Sequence, residues 1–484
     1  MEFIRTHKIA ICIGVIAFVL RFFLVFGYEV WRGPEAFRTA FAPGSDSARY
    51  INLGHNLAYE GVYSPSPRPP YAPEETIEPA YPLFLAALFF LKESLLLVAL
   101  CQIFLAAATT ILVYKIAEMY MPRVPSIIAG LLFAAEPVGA YLAGAVFTET
   151  LFMSFFISGI YYFLKSLHVD ASRSRWGIFF GGLFLGASAL TRPEVQFLAV
   201  VFVLFCFWVR RGESKRNTMR ALAVFLIGFF LVLAPWLVRN KITYGSWQTS
   251  SIGIHKVYLF DLLYFYSHEE NVSFKEARAA LRDRVVAISP YGNDDPTFAN
   301  APYLQKVAID YIRERPISFA VFYTVKTLPF FFGDGLRYLS SKFALADAPI
   351  INISGHILEG EFGVLWRALH TEEALPVMLL LVGGFCWFVI TVGMVLGIWF
   401  ACRQKDPRVR GSLLLLAALI LIFAFMSGPV SNPRLRFKAE PLMFILAAFG
   451  FFQLLHARLN GPRALPEIFK DDKGEEYRIA EKHP

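Results

Sequence analysis

Apolar runs close to membrane-spanning length recur along almost the whole chain, and they constrain its fold more than any other feature. They lie at 8–27, 95–118, 125–142, 148–166, 176–191, 195–210, 219–238, 376–401, 412–429 and 440–457. A helix needs roughly 20 mainly apolar residues to cross the hydrocarbon core of a bilayer. Composition agrees: 56% of the 484 residues are hydrophobic and only 17% are charged. A soluble fold made of these residues has too little polar side chain to cover its surface. The same numbers exclude a disordered chain, a collagen-like repeat and a secreted disulfide scaffold. Cys12, Cys101, Cys206, Cys386 and Cys402 all lie in or beside the apolar runs and read as packing residues. Segment 8–27 follows Arg5 and Lys8 as a signal peptide would, but it lacks a small-residue cleavage site and reads as the first spanning helix.

The basic residues orient these helices. Short cytoplasmic connections are enriched in Lys and Arg. Here the basic positions are Arg5 and Lys8; Lys115 and Arg123; Lys165, Arg173 and Arg175; Arg210, Arg211, Lys215, Arg216 and Arg220; and Arg403, Lys405, Arg408 and Arg410. All five groups share one side only if the shorter, Pro-containing stretches 79–91 and 317–332 do not cross. The expectation is about ten crossings, both termini cytoplasmic, and those two stretches lying in the interface on the outer face or dipping partway in.

Polar chemistry then gathers outside. The expected organisation is a transmembrane module at 1–238 carrying the first outer loop 28–78, a long outer region at 239–375, C-terminal transmembrane helices at 376–457 and a cytoplasmic tail at 458–484. Transporters keep extramembrane loops short and place their sites near the midplane, often within inverted repeats. No internal repeat is evident, and no phosphate-cradling Gly loop, HExxH or CxxC motif occurs. The pattern favours an enzyme working at the outer membrane surface.

In the first outer loop Asp46 follows Pro43-Gly44-Ser45 at the start of a helical pattern marked by Tyr50, Leu53 and Leu57. It reads equally as a simple N-cap and as a carboxylate held ionised for general-base or metal-binding work. His55 lies nine residues on, off the Asp46 turn, and reads as structural with a metal-ligand role open. Glu78, ahead of Pro79-Ala80-Tyr81-Pro82, reads first as an ordinary acid at a helix N-terminus. Glu149, between Thr148 and Thr150, and Glu136, before Pro137, are carboxylates near membrane depth, where ionisable groups are functional by default. Thr148 itself is expected to cap the next helix. Arg192 in Thr191-Arg192-Pro193 and Arg239 after Pro235-Trp236 sit on the outer side, against the positive-inside bias. Snorkelling, closing a helix end, or pairing with Glu194 would each account for them. The stretch from Ser431 to Pro441 carries Arg434, Arg436 and Lys438, a cluster suited to a lipid phosphate at headgroup depth.

The order of these pieces resembles the GT-C superfamily of integral membrane glycosyltransferases, and within it the bacterial relatives of protein O-mannosyltransferases and aminoarabinose transferases (glycosyltransferase family 39-like). The resemblance is carried by Asp46 to Tyr63, Tyr81-Pro82, Glu149 after a Pro-containing helix, Thr191-Arg192-Pro193, Pro235-Trp236 with Arg239-Asn240, and Arg434 to Pro441. It implies a GT-C fold, all-α, with interfacial helices on the outer face. It also implies inverting transfer of a sugar from a polyprenyl-phosphate carrier to a protein, lipid or glycan acceptor outside the membrane, with the bilayer as the third partner and no nucleic acid. Asp46 would match the family's first-loop acid, as base or acceptor-positioning group, and Glu149 the second acid. Arg434 or Arg436 would hold the carrier phosphate, with Arg192, Arg239, Tyr81 and Glu78 as further substrate-binding positions. Many relatives carry two adjacent acids in the first loop, whereas Ser45 and Ser47 flank Asp46 here. A divalent metal ion is the one cofactor left open, with Asp46 and His55 as its candidate ligands. A flippase or transporter of lipid-linked sugar, and a ligase or polymerase using a polyprenyl-pyrophosphate donor, are the rival readings. A bacterial inner membrane, with the site on the periplasmic face, is the expected location.

Overall fold

A computed structural model of the chain describes residues 2–167, 171–212, 214–333, 335–343, 363, 366–367, 374–430, 432–460, 468–470 and 476–478. Ser431 and parts of the expected outer region and C-terminal tail lie outside the described residues. Each of the ten apolar runs is helical. They fall in α1 (Glu2–Arg32), α5 (Leu95–Ala117), the pair α6 (Arg123–Ala135) and α7 (Pro137–Gly144), α8 (Glu149–Ser166), α9 (Ala171–Ala189), α10 (Val195–Val209), α11 (Lys215–Tyr244), α19 (Ala374–Cys402), α20 (Pro407–Ser427) and α22 (Glu440–Asn460). A small antiparallel pair of three-residue strands, Ile468–Lys470 and Glu476–Arg478, is the departure from an all-α chain.

Among the described residues, six helices are long and apolar enough to cross a membrane, or seven if α6 and α7 form one span, where the sequence suggested about ten. Length and composition explain the difference. The 15 residues of α10 rise only about 22 Å against a hydrocarbon core of roughly 30 Å. α8 is buried along most of its length, with Ser154 and Ser166 enclosed by protein, while Tyr161 and Tyr162 are half-buried. The run 125–142 is not one straight helix. It bends by 52° between α6 and α7. Pro137 has no N–H to continue the helix, and Glu136 caps the new one by accepting from the Gly139 amide. α4 (Ala80–Leu91) has 12 residues, too short to cross at about 18 Å, and so are α16 (Pro316–Thr327) and α17 (Pro329–Phe332).

Close helix crossings are made by glycine. A Cβ at Gly182 on α9 would run into the Phe225 carbonyl of α11, and one at Gly228 into the Phe179 carbonyl. Lipid supplies no hydrophobic force between helices, so small residues that let backbones touch are what hold such pairs. Aromatic rings fill the rest of the bundle. Phe163 meets Phe202 and Phe225 edge-on, and Phe152 and Phe156 pack against Phe423.

The first polar loop folds as α2 (Pro34–Phe41) and α3 (Gly44–Tyr59). A second apolar cluster, built from Tyr258, Phe265, Leu281, Leu304 and Tyr311, organises a smaller unit. Its helices are α12 (Ile252–Lys256), α13 (Leu263–Glu269), α14 (Phe274–Val286) and α15 (Ala301–Glu314). This unit is stapled to the first loop through Glu75: Ser251 N–H donates to its carbonyl at 2.9 Å and Phe298 N–H to its carboxylate at 2.9 Å. α18 (Leu336–Phe343) then returns to the bundle and packs on α7.

Candidate functional site

The site is assembled where the first loop meets the connection between α7 and α8. The chain enters α3 through Gly44, whose φ of 73° is a conformation that a side chain disfavours. Pro43, not Ser45 or Asp46, holds the N-cap position, and no side chain caps this helix. Asp46 instead stands in the first turn. Ser47 Oγ donates to the Val146 carbonyl at 3.1 Å, and Val146 N–H donates to the Phe41 carbonyl at 2.7 Å. These two bonds bring Asp46 to the start of α8, where Glu149 is fully buried. Thr148 occupies the N-cap of α8 but makes no capping bond, unlike the expectation.

Two arginines converge on Glu149. Arg192, from the turn between α9 and α10, donates through Nη2, and Arg434 donates through Nε to the same oxygen. Arg434 belongs to the single turn α21 (Pro433–Arg436), which Asn432 caps by accepting from Leu435 N–H at 3.0 Å. Its guanidinium lies 3.8 Å from the centroid of the Phe147 ring, and Nη1 stands 3.5 Å from Asp46 Oδ2. On the far side Arg192 Nη1 is 3.8 Å from Glu194, which accepts from Lys438 Nζ at 2.6 Å. The result is a ladder of alternating charge: Asp46, Arg434, Glu149, Arg192, Glu194, Lys438. Burial raises the Glu194 carboxyl, but Lys438 and Arg192 outweigh it and hold the group down at about 2. Burial likewise lowers the Arg434 guanidinium, and Glu149 more than restores it. Asp46 alone among the acids of the ladder is open, with 59% of its side chain exposed.

The remaining predicted residues are placed elsewhere. Arg436 is 1% exposed; it donates to Glu440 at 2.9 Å and to the Gly333 carbonyl, and lies on the Trp387 ring. It therefore joins a buried network rather than the ladder. Arg239 donates to the Glu74 carbonyl at 3.2 Å and to Asn240 Oδ1 at 2.8 Å, between the rings of Tyr63, Trp236 and Tyr244. It clamps the first loop onto α11. Tyr81 is buried and donates to Gln102 Oε1 at 2.9 Å, but its ring meets Tyr50 edge-on at 5.2 Å and so backs the site. Glu78 accepts from Ser250 Oγ, and burial raises its carboxyl to about 8.

His55 is on the surface, 3.2 Å from Glu93. It does not meet Asp46, and among the described residues no three or more His, Cys, Asp or Glu side chains are grouped to hold a metal. Tyr50, Tyr338 and Lys342 were not anticipated. Burial raises the Tyr50 phenol, and Glu149 adds to it. Its spacing of four residues from Asp46 on α3 is the signal that places both on one helix face.

Known proteins share this architecture. Residues 75–238 match the family described as dolichyl-phosphate-mannose-protein mannosyltransferase. No curated protein matches the chain. The Archaeoglobus fulgidus oligosaccharyltransferase AglB, solved with an inhibitory peptide and a dolichol-phosphate, is similar at a TM-score of 0.52 and 14% identity, over 94% of this chain and 52% of its own. The same organism's oligosaccharyltransferase tethered to an acceptor peptide is similar at 0.50 and 15% identity, over 96% of this chain and 52% of its own. ArnT from Cupriavidus metallidurans bound to undecaprenyl phosphate aligns at 0.40 and 13% identity, over 96% of this chain and 82% of its own. The chain thus spans about half the length of the archaeal structures it matches. The likeness to the two archaeal structures establishes the fold alone, the GT-C architecture that the resemblance implied, and the long apolar helices mark an integral membrane protein.

Proposed function

We propose that the chain is a glycosyltransferase that moves a sugar from a polyprenyl-phosphate carrier to an acceptor with inversion, on the outer face of a bacterial inner membrane. The observation that carries this reading is the pair Asp46 and Arg434, 3.5 Å apart, with Glu149 buried behind the arginine. The open carboxylate of Asp46 takes the proton of the acceptor hydroxyl or amine. The freed lone pair attacks the anomeric carbon on the face opposite the phosphate. The bond from that carbon to the phosphate oxygen breaks, and its electrons leave with the polyprenyl phosphate, whose charge the cationic side of the site stabilises. Glu149 touches no substrate; it fixes the two guanidiniums, which act only when preorganised. The family match and the archaeal structures' dolichol-phosphate and peptide complexes support a lipid-phosphate donor and an acceptor bound outside.

The test is transfer of radiolabelled sugar from polyprenyl phosphate in proteoliposomes, alongside mass spectrometry of cell-envelope glycans with and without the gene. Asp46→Asn should lower kcat by about 10²–10⁴-fold with little change in donor affinity. Full activity in folded Asp46→Asn and Arg434→Ala proteins rejects the assignment. Movement of the carrier across the bilayer without glycosylated product would point to a flippase instead.

A further inference from the structure

Every arginine of the ladder is already neutralised. Glu149 accepts from both Arg192 and Arg434, Asp46 faces Arg434 as well, and Lys438 is bonded to Glu194. A phosphate arriving here must compete with carboxylates for each of these cations. One more cation stands at the site. Lys342, in α18, lies 5.4 Å from the Tyr338 ring centroid, and among the described residues no carboxylate pairs with its ammonium. Among the described residues, three carboxylates of the site face four cations, and Lys342 is the cation with no carboxylate partner.

Aromatic packing holds α18 against α7 and the end of α2. Tyr338 meets Tyr141 edge-on at 5.9 Å, and Phe343 packs on Phe41 at 5.7 Å and on Tyr141 at 5.6 Å. The Phe41 carbonyl holds Val146, whose neighbour Phe147 underlies Arg434. Lys342, on the same helix as Tyr338 and Phe343, is close enough to Arg434 and Asp46 to interact electrostatically with both. Burial lowers its ammonium and Arg434 lowers it further, while Asp46 opposes both. The helix is also anchored from below. Arg436 donates to the Gly333 carbonyl, and Gly335, just before α18, packs on Val138.

We propose that Lys342 is the residue that takes the phosphate of the carrier lipid, with Arg434 and Arg192 held by Glu149 as a fixed cationic backing. The proposal rests on the reading of the chain as a lipid-phosphate-dependent transferase. It assigns the first contact with the donor to the outer helix α18 rather than to the 430–440 loop. An ammonium on a flexible stem suits this task, because it meets phosphate oxygens as a point charge without a fixed fork geometry.

The experiment is calorimetric titration of the full chain in detergent with three probes: farnesyl phosphate, farnesol and inorganic phosphate. Lys342→Met should weaken farnesyl phosphate by at least about tenfold, as loss of a charge-assisted bond does, and leave farnesol unchanged. Lys342→Arg should restore most of the affinity. Lys342→Gln repeats the measurement should the Met variant lose its thermal transition. Unchanged farnesyl phosphate binding by the folded variants overturns the assignment of Lys342 while leaving the transferase reading intact. Equal, Lys342-dependent binding of inorganic and farnesyl phosphate overturns the carrier-lipid assignment in favour of a free-phosphate site. Absence of farnesyl phosphate binding in the unaltered protein removes both.

Discussion

Glu149 shows how one residue organises the site. A lone buried carboxylate is costly, and two guanidiniums on one of its oxygens offset that cost. The arrangement also pins the turn between α9 and α10 to α21, elements far apart in the chain. Glu78 shows the opposite balance. Burial raises its carboxyl to about 8, and Ser250 is its side-chain donor. From about pH 4.5 to 8 the unfolded chain loses this proton while the folded protein keeps it, so stability falls as pH rises through that window and levels off above it. Glu78→Gln should flatten this fall by up to a few kcal/mol, because a tenfold change in proton affinity is worth about 1.36 kcal/mol. Thermal unfolding in detergent at pH 5 and pH 8 reads the difference, and an identical pH slope in the variant refutes it. Glu194 acts in a separate window: held down at about 2, it stabilises above the ordinary carboxylate range, and that contribution is lost as pH falls toward 2.

At the scale of elements, the fold depends on helices that touch through glycine and on one helix that breaks. α9 and α11 meet at Gly182 and Gly228, where an added Cβ would enter the opposing backbone rather than a movable side chain. Gly182→Val should therefore separate the helices and cost about 1–3 kcal/mol by overpacking, lowering the thermal midpoint. A variant as stable as the parent would show that this crossing has slack. The bend at Glu136–Pro137 has its own consequence. It turns α7 away from α6, so that Tyr141 can carry Tyr338 and Phe343 and thereby support α18.

At the scale of the molecule, the acids and arginines of the site gather at the ends of helices whose opposite ends carry the basic turns. A single cysteine placed at Arg282 in α14 should react with an impermeant maleimide added outside intact cells. One at Lys405, between α19 and α20, should react only after permeabilisation. Labelling of Lys405→Cys in intact cells contradicts the sidedness, and with it the placing of the ladder outside.

The periodicity and length of the apolar runs were enough to specify helices, because burying backbone polar groups in lipid leaves helix as the local solution. The sequence also singled out four residues that the fold brings together, each by its own signal: Asp46 by its place at a helix start, Glu149 by its charge near membrane depth, Arg192 by running against the positive-inside bias and Arg434 by its basic cluster. It did not separate Arg434 from Arg436, two residues apart on one turn. One faces Glu149 and the other Glu440, a choice made by the crossing of α21 with its neighbours. Nor did it find Lys342 or Tyr50, which are ordinary residues until packing brings them to the site. Whether α8 needs lipid or protein around it, and where the third apolar run bends, were likewise decided by tertiary contacts. Local pattern determines what each segment can bury; only the folded chain determines which charges meet, because pairing depends on distances between segments far apart in sequence.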